Sequence, residues 1–195
     1  MAHIRPPKFV HVLYRTRRYE KMIEWYKIVF DATVLHQDPA LAFLTYDDEH
    51  HRLAMVQVPA NDEVSKETRL GLPGLDHVAY TLSSLEELLS TYKRLKADDI
   101  VPVWPINHGL TTSMYYADPD GNQMEFQVDS YKSSEEADAF MNTHWDTNPV
   151  GVEFDPEAWL ARLRAGTPES ECLLRRVHEP ASPIRGEIAE LARGD

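Results

Sequence analysis

The chain has 195 residues, 43% hydrophobic and 27% charged, enough for one ordinary domain or two small modules sharing a core. Its formal net charge of -12 opposes binding to a phosphate backbone, so no nucleic-acid partner is expected. No apolar run approaches the roughly 20 residues of a membrane span, MAHIRPPKFVHV lacks a secretory apolar region, and the single cysteine, Cys172, excludes an intrachain disulfide. A cytoplasmic protein without a membrane partner is the expectation.

KFVHVLYRT alternates and reads as a strand, and the basic run RTRRYEK leads into a helix with Met22, Trp25, Tyr26 and Val29 on one face. ATVLHQ, LAFLTYD and HRLAMVQV follow as short strands, which completes a βαβββ module. A polar connection, PANDEVSKETRLGLPG, then separates it from a second module of the same order. That module comprises GLDHVAYTL, a helix over SLEELLSTYKRLKADD, and the strands IVPVWP, TSMYYAD and NQMEFQVD. Ser84 with Glu87 has capping-box spacing at the start of the helix. His77 falls 66 positions after His11, at the equivalent place in the repeat.

The fold expected is therefore α+β: two tandem βαβββ modules, about 8–58 and 74–129, forming an open, mixed-sheet cavity within a domain spanning 1–129. A C-terminal extension, 130–195, follows with short helices. Ser134 is the expected cap of one helix ending near Met141, while Asp155, Pro156 and Gly166 bracket another whose face is Trp159, Leu160 and Leu163. The final stretch, HEPASPIRGEIAELARGD, reads as proline-bearing and then weakly helical, draped over the domain or set against a second subunit.

A histidine in an apolar strand is more often a packed core residue than a ligand. Recurrence at one repeat position shifts the balance for His11 and His77, and alternation in NQMEFQVD separates Glu125 from Met124, Phe126 and Val128. Paired modules would bring His11, His77 and Glu125 together as a two-histidine, one-carboxylate triad suited to non-haem Fe(II). Aligning HRLAMVQV with NQMEFQV through their shared Gln-Val puts Met55 opposite Glu125, so no fourth ligand is expected. DPDG, Asp118–Gly121, places its glycine too early for an EF-hand loop and reads as a hairpin turn.

This arrangement resembles the vicinal oxygen chelate superfamily, and Ile106–Phe126 narrows it. Ile106-Asn107-His108, Met114-Tyr115, Asp118-Pro119-Asp120-Gly121 and Glu125 are similar, element by element, to the signature of type I extradiol ring-cleavage dioxygenases. The likeness covers about residues 8–129, one double module where familiar members carry two, and the extension lies outside it. It implies His11, His77 and Glu125 as ligands of Fe(II), with Mn(II) less favoured, and His51, His108 and Tyr115 as catalytic residues. His51, in EHHRLAM, would move the catechol proton, Tyr115 would keep the diol oxygen ionised, and His108 would steady the reacting oxygen.

The implied substrates are a small aromatic diol and O2, and the product a hydroxymuconic semialdehyde type. The alternatives are another metal-dependent enzyme of the superfamily, glyoxalase- or isomerase-like, and a metal-free resistance protein that sequesters an aromatic ligand. Trp104 is the better pocket candidate among the aromatics, Phe43 the better core candidate, and Tyr116 fits either role. The amphipathic helix DPEAWLARLRAG suggests a homo-oligomer.

Overall fold

The computed structural model describes residues 6–58, 73–144 and 146–184. The chain divides into two compact units: residues 1–74 with 118–122, and residues 75–117 with 123–195. The architecture is mixed α+β with two open sheets, as expected.

In the first unit the order is β1 (Val12–Thr16), α1 (Tyr19–Phe30), β2 (Thr33–Gln37), β3 (Leu41–Thr45) and β4 (Leu53–Gln57). The sheet order is β1-β4-β3-β2, with β1 parallel to β4 and the remaining pairs antiparallel. Thr16 turns the chain by accepting the Arg18 N–H at 2.8 Å. Met22, Trp25, Tyr26 and Val29 are buried along α1, with Ile23 beside them, so the predicted apolar stripe holds. Asp31, at φ 51°, ends the helix in the left-handed region.

The DPDG turn belongs to this unit. Gly121 N–H donates to Asp118 O at 2.9 Å, closing the turn, and Gly121 takes φ 86°. Asp118 accepts the backbone N–H groups of Asp120 and Asn122 on one oxygen, and Asn122 Nδ2 and the Tyr26 hydroxyl on the other. Arg18 adds bonds to Pro119 O and Asp120.

The second unit runs β5 (His77–Thr81), α2 (Leu85–Ala97), β6 (Trp104–Asn107), β7 (Thr111–Ala117), β8 (Gln123–Asp129), α3 (Ser134–His144), β9 (Val152–Glu153), α4 (Pro156–Arg164) and α5 (Glu169–Leu173). Its sheet order is β5-β8-β7-β6-β9, with β5 parallel to β8. Leu85, Leu88, Leu89, Tyr92 and Leu95 form the buried face of α2. Ser84 caps it by accepting the Glu87 N–H at 3.1 Å, as its spacing predicts.

Two predicted strands start late. IVPVWP was expected to be extended from Ile100, yet pairing with β7 begins at Trp104 and leaves Val101 and Val103 exposed. Pro102, which has no N–H to give a ladder, explains part of this. Residues 8–11 likewise precede β1, so His11 stands just outside the strand rather than within it.

The extension is built into the second unit. β9 adds a fifth strand to the sheet through Ile106↔Glu153 and Asn107↔Val152. Glu169 accepts the N–H groups of Leu85 at 3.2 Å and Glu86 at 3.0 Å, satisfying donors at the start of α2 that have no intrahelical partner. Tyr92 and Lys96 of α2 both reach Glu157 of α4. Asp155, Pro156 and Gly166 act as predicted at the ends of α4. At α3 the cap differs: Ser134 is already helical and Ser133 accepts the Glu136 N–H. The connection at 59–72 and residues 185–195, the part of the tail expected to be weakly helical, lie outside the described residues.

Candidate active site

Register decides which side chains share a face. Tyr115 lies opposite Glu125 across β7 and β8, and Trp104 opposite Tyr115 across β6 and β7, so all three point the same way. Ala79 is the partner of Glu125 in the parallel pair, which places His77, two residues earlier, on that face as well. Met124, Phe126, Val128 and Tyr116 take the opposite face and are buried. Tyr116 is therefore core, and its neighbour Tyr115 belongs to the face that carries His77 and Glu125.

Glu125 is only 4% exposed, although alternation alone allowed it to face solvent. Its Oε2 lies 3.1 Å from His77 Nε2, and its Oε1 4.0 Å from His108 Nε2. Burial works to raise the Glu125 carboxyl, but the His77 hydrogen bond, the Ser113 hydroxyl and the charges of His108 and His77 outweigh it, leaving the pKa below the usual value. On the other side of the ring, His77 Nδ1 is 2.7 Å from Asp76 Oδ1. Asp76 thus fixes the imidazole's orientation and turns Nε2 toward Glu125. The Glu125 bond raises the His77 pKa above its ordinary value, against a smaller opposing effect of burial and with help from Asp76.

His108 is oriented from the extension. Its Nδ1 is 2.5 Å from the Val150 carbonyl, which can only accept, so Nδ1 carries a proton and Nε2 is turned to the Tyr115 hydroxyl, 3.2 Å away. Trp104 stands edge-on to His108 and tilted against Tyr115, with ring centroids 5.6 and 5.0 Å away. It is buried with Ile106, Tyr115 and Val150, so it backs the site where a place in the pocket lining was expected. Its indole N–H is taken up by Ser182 at 3.0 Å.

In the first unit, the His11 and His51 rings are tilted against each other with centroids 4.5 Å apart, and the Phe43 ring centre lies 4.6 Å from that of His51. His51 is half-buried and contacts His50 through the two Nδ1 atoms, 2.7 Å apart. Burial, then the neighbouring His11 and His50, push its pKa down, so the ring is neutral near pH 7. Phe43 is half-buried where a core position was expected, because the alternation of β3 gives the buried places to Ala42 and Leu44. Among the described residues, neither unit by itself gathers three His, Cys, Asp or Glu side chains into a metal cage.

Strand pairing corrects one sequence alignment. Ala79 pairs with Glu125, and its repeat equivalent Leu13 pairs with Ala54, so Ala54 occupies the place of Glu125 in the first module. Met55 is one residue further on, fully buried in register with Tyr14. The shared Gln-Val misleads by one position, which in a strand is a change of face. Ala54, like Met55, offers no ligand.

A cavity of about 300 Å³ opens beside Glu125, Tyr115 and His108. Its remaining wall includes Phe140, Met141, His144, Asn148, Pro149 and Arg175, all from the extension. Sequence reasoning missed these residues, together with Asp76, Ser113 and Val150. Only α3 carried a readable signal: Ala137, Phe140, Met141 and His144 stand at helical i, i+3, i+4, i+7 spacing.

A tandem βαβββ repeat with a histidine at the start of each module and a buried glutamate on the last strand of the second defines a class, and the family comparison names it. Residues 8–126 match the Glyoxalase/Bleomycin resistance protein/Dioxygenase superfamily, to which the chain belongs. It is 46% identical over 163 residues to biphenyl-2,3-diol 1,2-dioxygenase 2 of Rhodococcus globerulus, covering 83% of this chain and 84% of that protein. Biphenyl-2,3-diol 1,2-dioxygenase 3 of the same organism is 38% identical over 177 residues, covering 87% and 88%. Matches of this length cannot be contained in residues 1–129, so both run into the extension. Among solved structures, a glyoxylase/bleomycin resistance protein/dioxygenase domain from Frankia sp. EAN1pec shares the fold, with a TM-score of 0.53 at 17% identity over 68% of this chain and 98% of that one. Among the described residues no helix is long and apolar enough to cross a membrane.

Proposed function

We propose that the protein is an Fe(II)-dependent extradiol dioxygenase that opens the ring of an aryl-substituted catechol with O2. The observation that carries this reading is the shared strand face. A buried carboxylate bonded to His77 stands on it beside a phenol–imidazole pair, in a chain 46% identical to a biphenyl-2,3-diol 1,2-dioxygenase. The other chemistries of the superfamily leave the His108–Tyr115 pair without a task.

The donors fit a divalent metal. Ligands at about 2.1 Å and at right angles are separated by about 3 Å, and His77 Nε2 and Glu125 Oε2 are 3.1 Å apart. Asp76 behind His77 is the outer carboxylate that ligating histidines usually have. His77 and Glu125 would hold the metal with His11 as third ligand, and Fe(II) suits two imidazoles and a carboxylate better than a hard, all-oxygen ion does. When bound, the iron brings the diol and O2 together and lets electron density pass between them.

The chain's own groups govern protons and orientation. The Tyr115 hydroxyl, 3.2 Å from His108 Nε2, would turn its single proton to the ionised diol oxygen and favour its charged form. His108, with a proton on Nδ1 toward the Val150 carbonyl, presents Nε2 to Tyr115 and the cavity. His51, with its lowered pKa, is a neutral base that takes the remaining diol proton and returns it as the ring opens. Both atoms of O2 enter the product, the bond beside the diol breaks, and the ring supplies the electrons, so no external reductant is required.

Anaerobic loading with Fe(II), followed by oxygen uptake and absorbance scans with catechol, 3-methylcatechol and 2,3-dihydroxybiphenyl, tests this. A yellow product matched by oxygen consumption, and lost in His77→Ala, is expected. Tight iron binding without turnover of any diol would refute it.

A further inference from the structure

We propose that α3 of the extension is the element that recognises the ring substituent: Phe140 and Met141 form an apolar wall against which an aryl group carried by the diol packs. The inference rests on the proposed diol chemistry and adds to it what selects among diols. The cavity has two unlike ends. Glu125, His108 and Tyr115 make a polar floor, while Leu110, Phe140, Met141 and Pro149 contribute apolar surface. At about 300 Å³ it lies at the lower limit for small-molecule sites, room for a ligand of one or two rings.

α3 is unusual among the helices of this unit. It has no buried side chain, and the residues of its inward stripe, Ala137, Phe140, Met141 and His144, are all half-buried. An amphipathic helix normally buries such a stripe against the core. Here Phe140 and Met141 spend that stripe on the cavity, so a ligand's apolar group is what would cover it.

The wall is held in place rather than loosely apposed. Phe140 sits on the backbone of Gly109, where an added Cβ would come within 2.2 Å of its ring, and Gly109 has φ 96°. The Arg175 guanidinium lies 4.7 Å from the centre of the same ring. Arg175 is itself fixed, donating from Nη1 to His108 O at 3.0 Å and to Asn148 O at 2.9 Å. Phe140 is thereby anchored to the loop that carries His108, so the substituent wall and the reacting end keep a fixed separation. Arg175 lines the cavity too, but its Nη1 is committed to carbonyls and its guanidinium is covered by the Phe140 ring, only its buried Nε lacking a partner among the described residues, so the surface Phe140 and Met141 present is apolar and selects a flat apolar substituent over a charged one.

The test uses the full chain in two states. In the metal-free protein, binding of 2,3-dihydroxybiphenyl and catechol is measured by calorimetry. In the Fe(II)-loaded enzyme, kcat/KM is measured for both and for 2,3-dihydroxybenzoate. Phe140→Ala should weaken 2,3-dihydroxybiphenyl binding and lower its kcat/KM relative to catechol by roughly tenfold, the size of one aromatic contact. Gly109→Ala, which displaces the ring without removing it, should shift the ratio in the same direction. Phe140→Leu should restore most of the preference and confirms folding. An unchanged ratio in both disruptive variants, or a wild-type preference for 2,3-dihydroxybenzoate, overturns the proposal. Selective binding lost in Phe140→Ala without turnover would sink the dioxygenase reading and leave the wall standing; no binding of either diol, with no turnover, would sink both.

Discussion

Gly151→Ala should damage both the fold and the reaction, and the structure sets the size. Gly151 has φ 128°, outside the range that other residues adopt without strain. A Cβ there would meet Asn107 O at 2.6 Å and His108 Cα at 2.9 Å, both backbone atoms that cannot swing aside. The conformational strain costs about 1–3 kcal/mol, and moving β9 away from β6 adds the loss of at least one hydrogen bond, about 1 kcal/mol. A total of about 3 kcal/mol corresponds to a fall in Tm of roughly 6–12 °C for a chain of this size. Because Val150 O holds His108 Nδ1, the same displacement unseats the imidazole, and kcat should fall by up to about 100-fold. Gly166→Ala is the control. Gly166 also has positive φ, 89°, but nothing lies within 4 Å of its Cβ position, so it reports strain without collision. Thermal unfolding and steady-state kinetics of the two variants decide the matter. If Gly151→Ala melts within a degree or two of Gly166→Ala and keeps its kcat, the close approach does not position His108.

Tyr115→Phe removes only the hydroxyl that meets His108, so Tm should change little, within about 1.5 kcal/mol of stability, while kcat falls about 10- to 100-fold. Glu125→Gln keeps the volume but not the charge, and equilibrium dialysis should show loss of Fe(II) retention with the fold intact by circular dichroism. Asp118→Ala strips acceptors from two backbone N–H groups, Tyr26 and Asn122, and should cost about 2–4 kcal/mol in urea unfolding. Burial raises the Asp118 pKa, so the folded state holds its proton to higher pH than the unfolded chain. Stability contributed by this group therefore grows as pH falls through the folded pKa toward the ordinary carboxylate value. The advantage of the wild type over Asp118→Asn should widen on acidification in that window; a constant difference refutes the assignment.

What the sequence disclosed and what it hid follow a physical division. Alternation and 3.6-residue periodicity are local, and they located both modules, the α1 stripe and the caps at Ser84 and Asp155. The neighbourhood of Glu125 depends on register, which no local pattern contains. Tyr115 and Tyr116 are equivalent as letters, and only the pairing Tyr115↔Glu125 separates the chemical face from the core. The same dependence misplaced Met55: a matching Gln-Val pair was stronger as text than as structure, and a slip of one residue exchanged faces. Residues of the extension were hidden for a different reason. Val150 meets His108 across 42 positions and Arg175 meets it across 67, contacts that short windows of sequence cannot foresee.

The repeat also explains why the chemistry is not duplicated. Both modules give one sheet face to a helix and leave the other for use, and His11 and His77 occupy the same position. At the next position needed, the second module has Glu125 with His77 and Ser113 to support its charge, whereas the first has Ala54. A buried carboxylate is tolerated only where donors surround it, and the partners of Ala54 in the sheet are Leu13 and Phe43. The second module then gains what the first lacks, a fifth strand and a helix from the extension. Val150 sets the tautomer of His108, Arg175 ties its carbonyl to Phe140, and the cavity closes over Glu125. Divergence of two similar modules has thus left His77, Glu125, Tyr115 and His108 together on the second module, and the extension lines the cavity beside them.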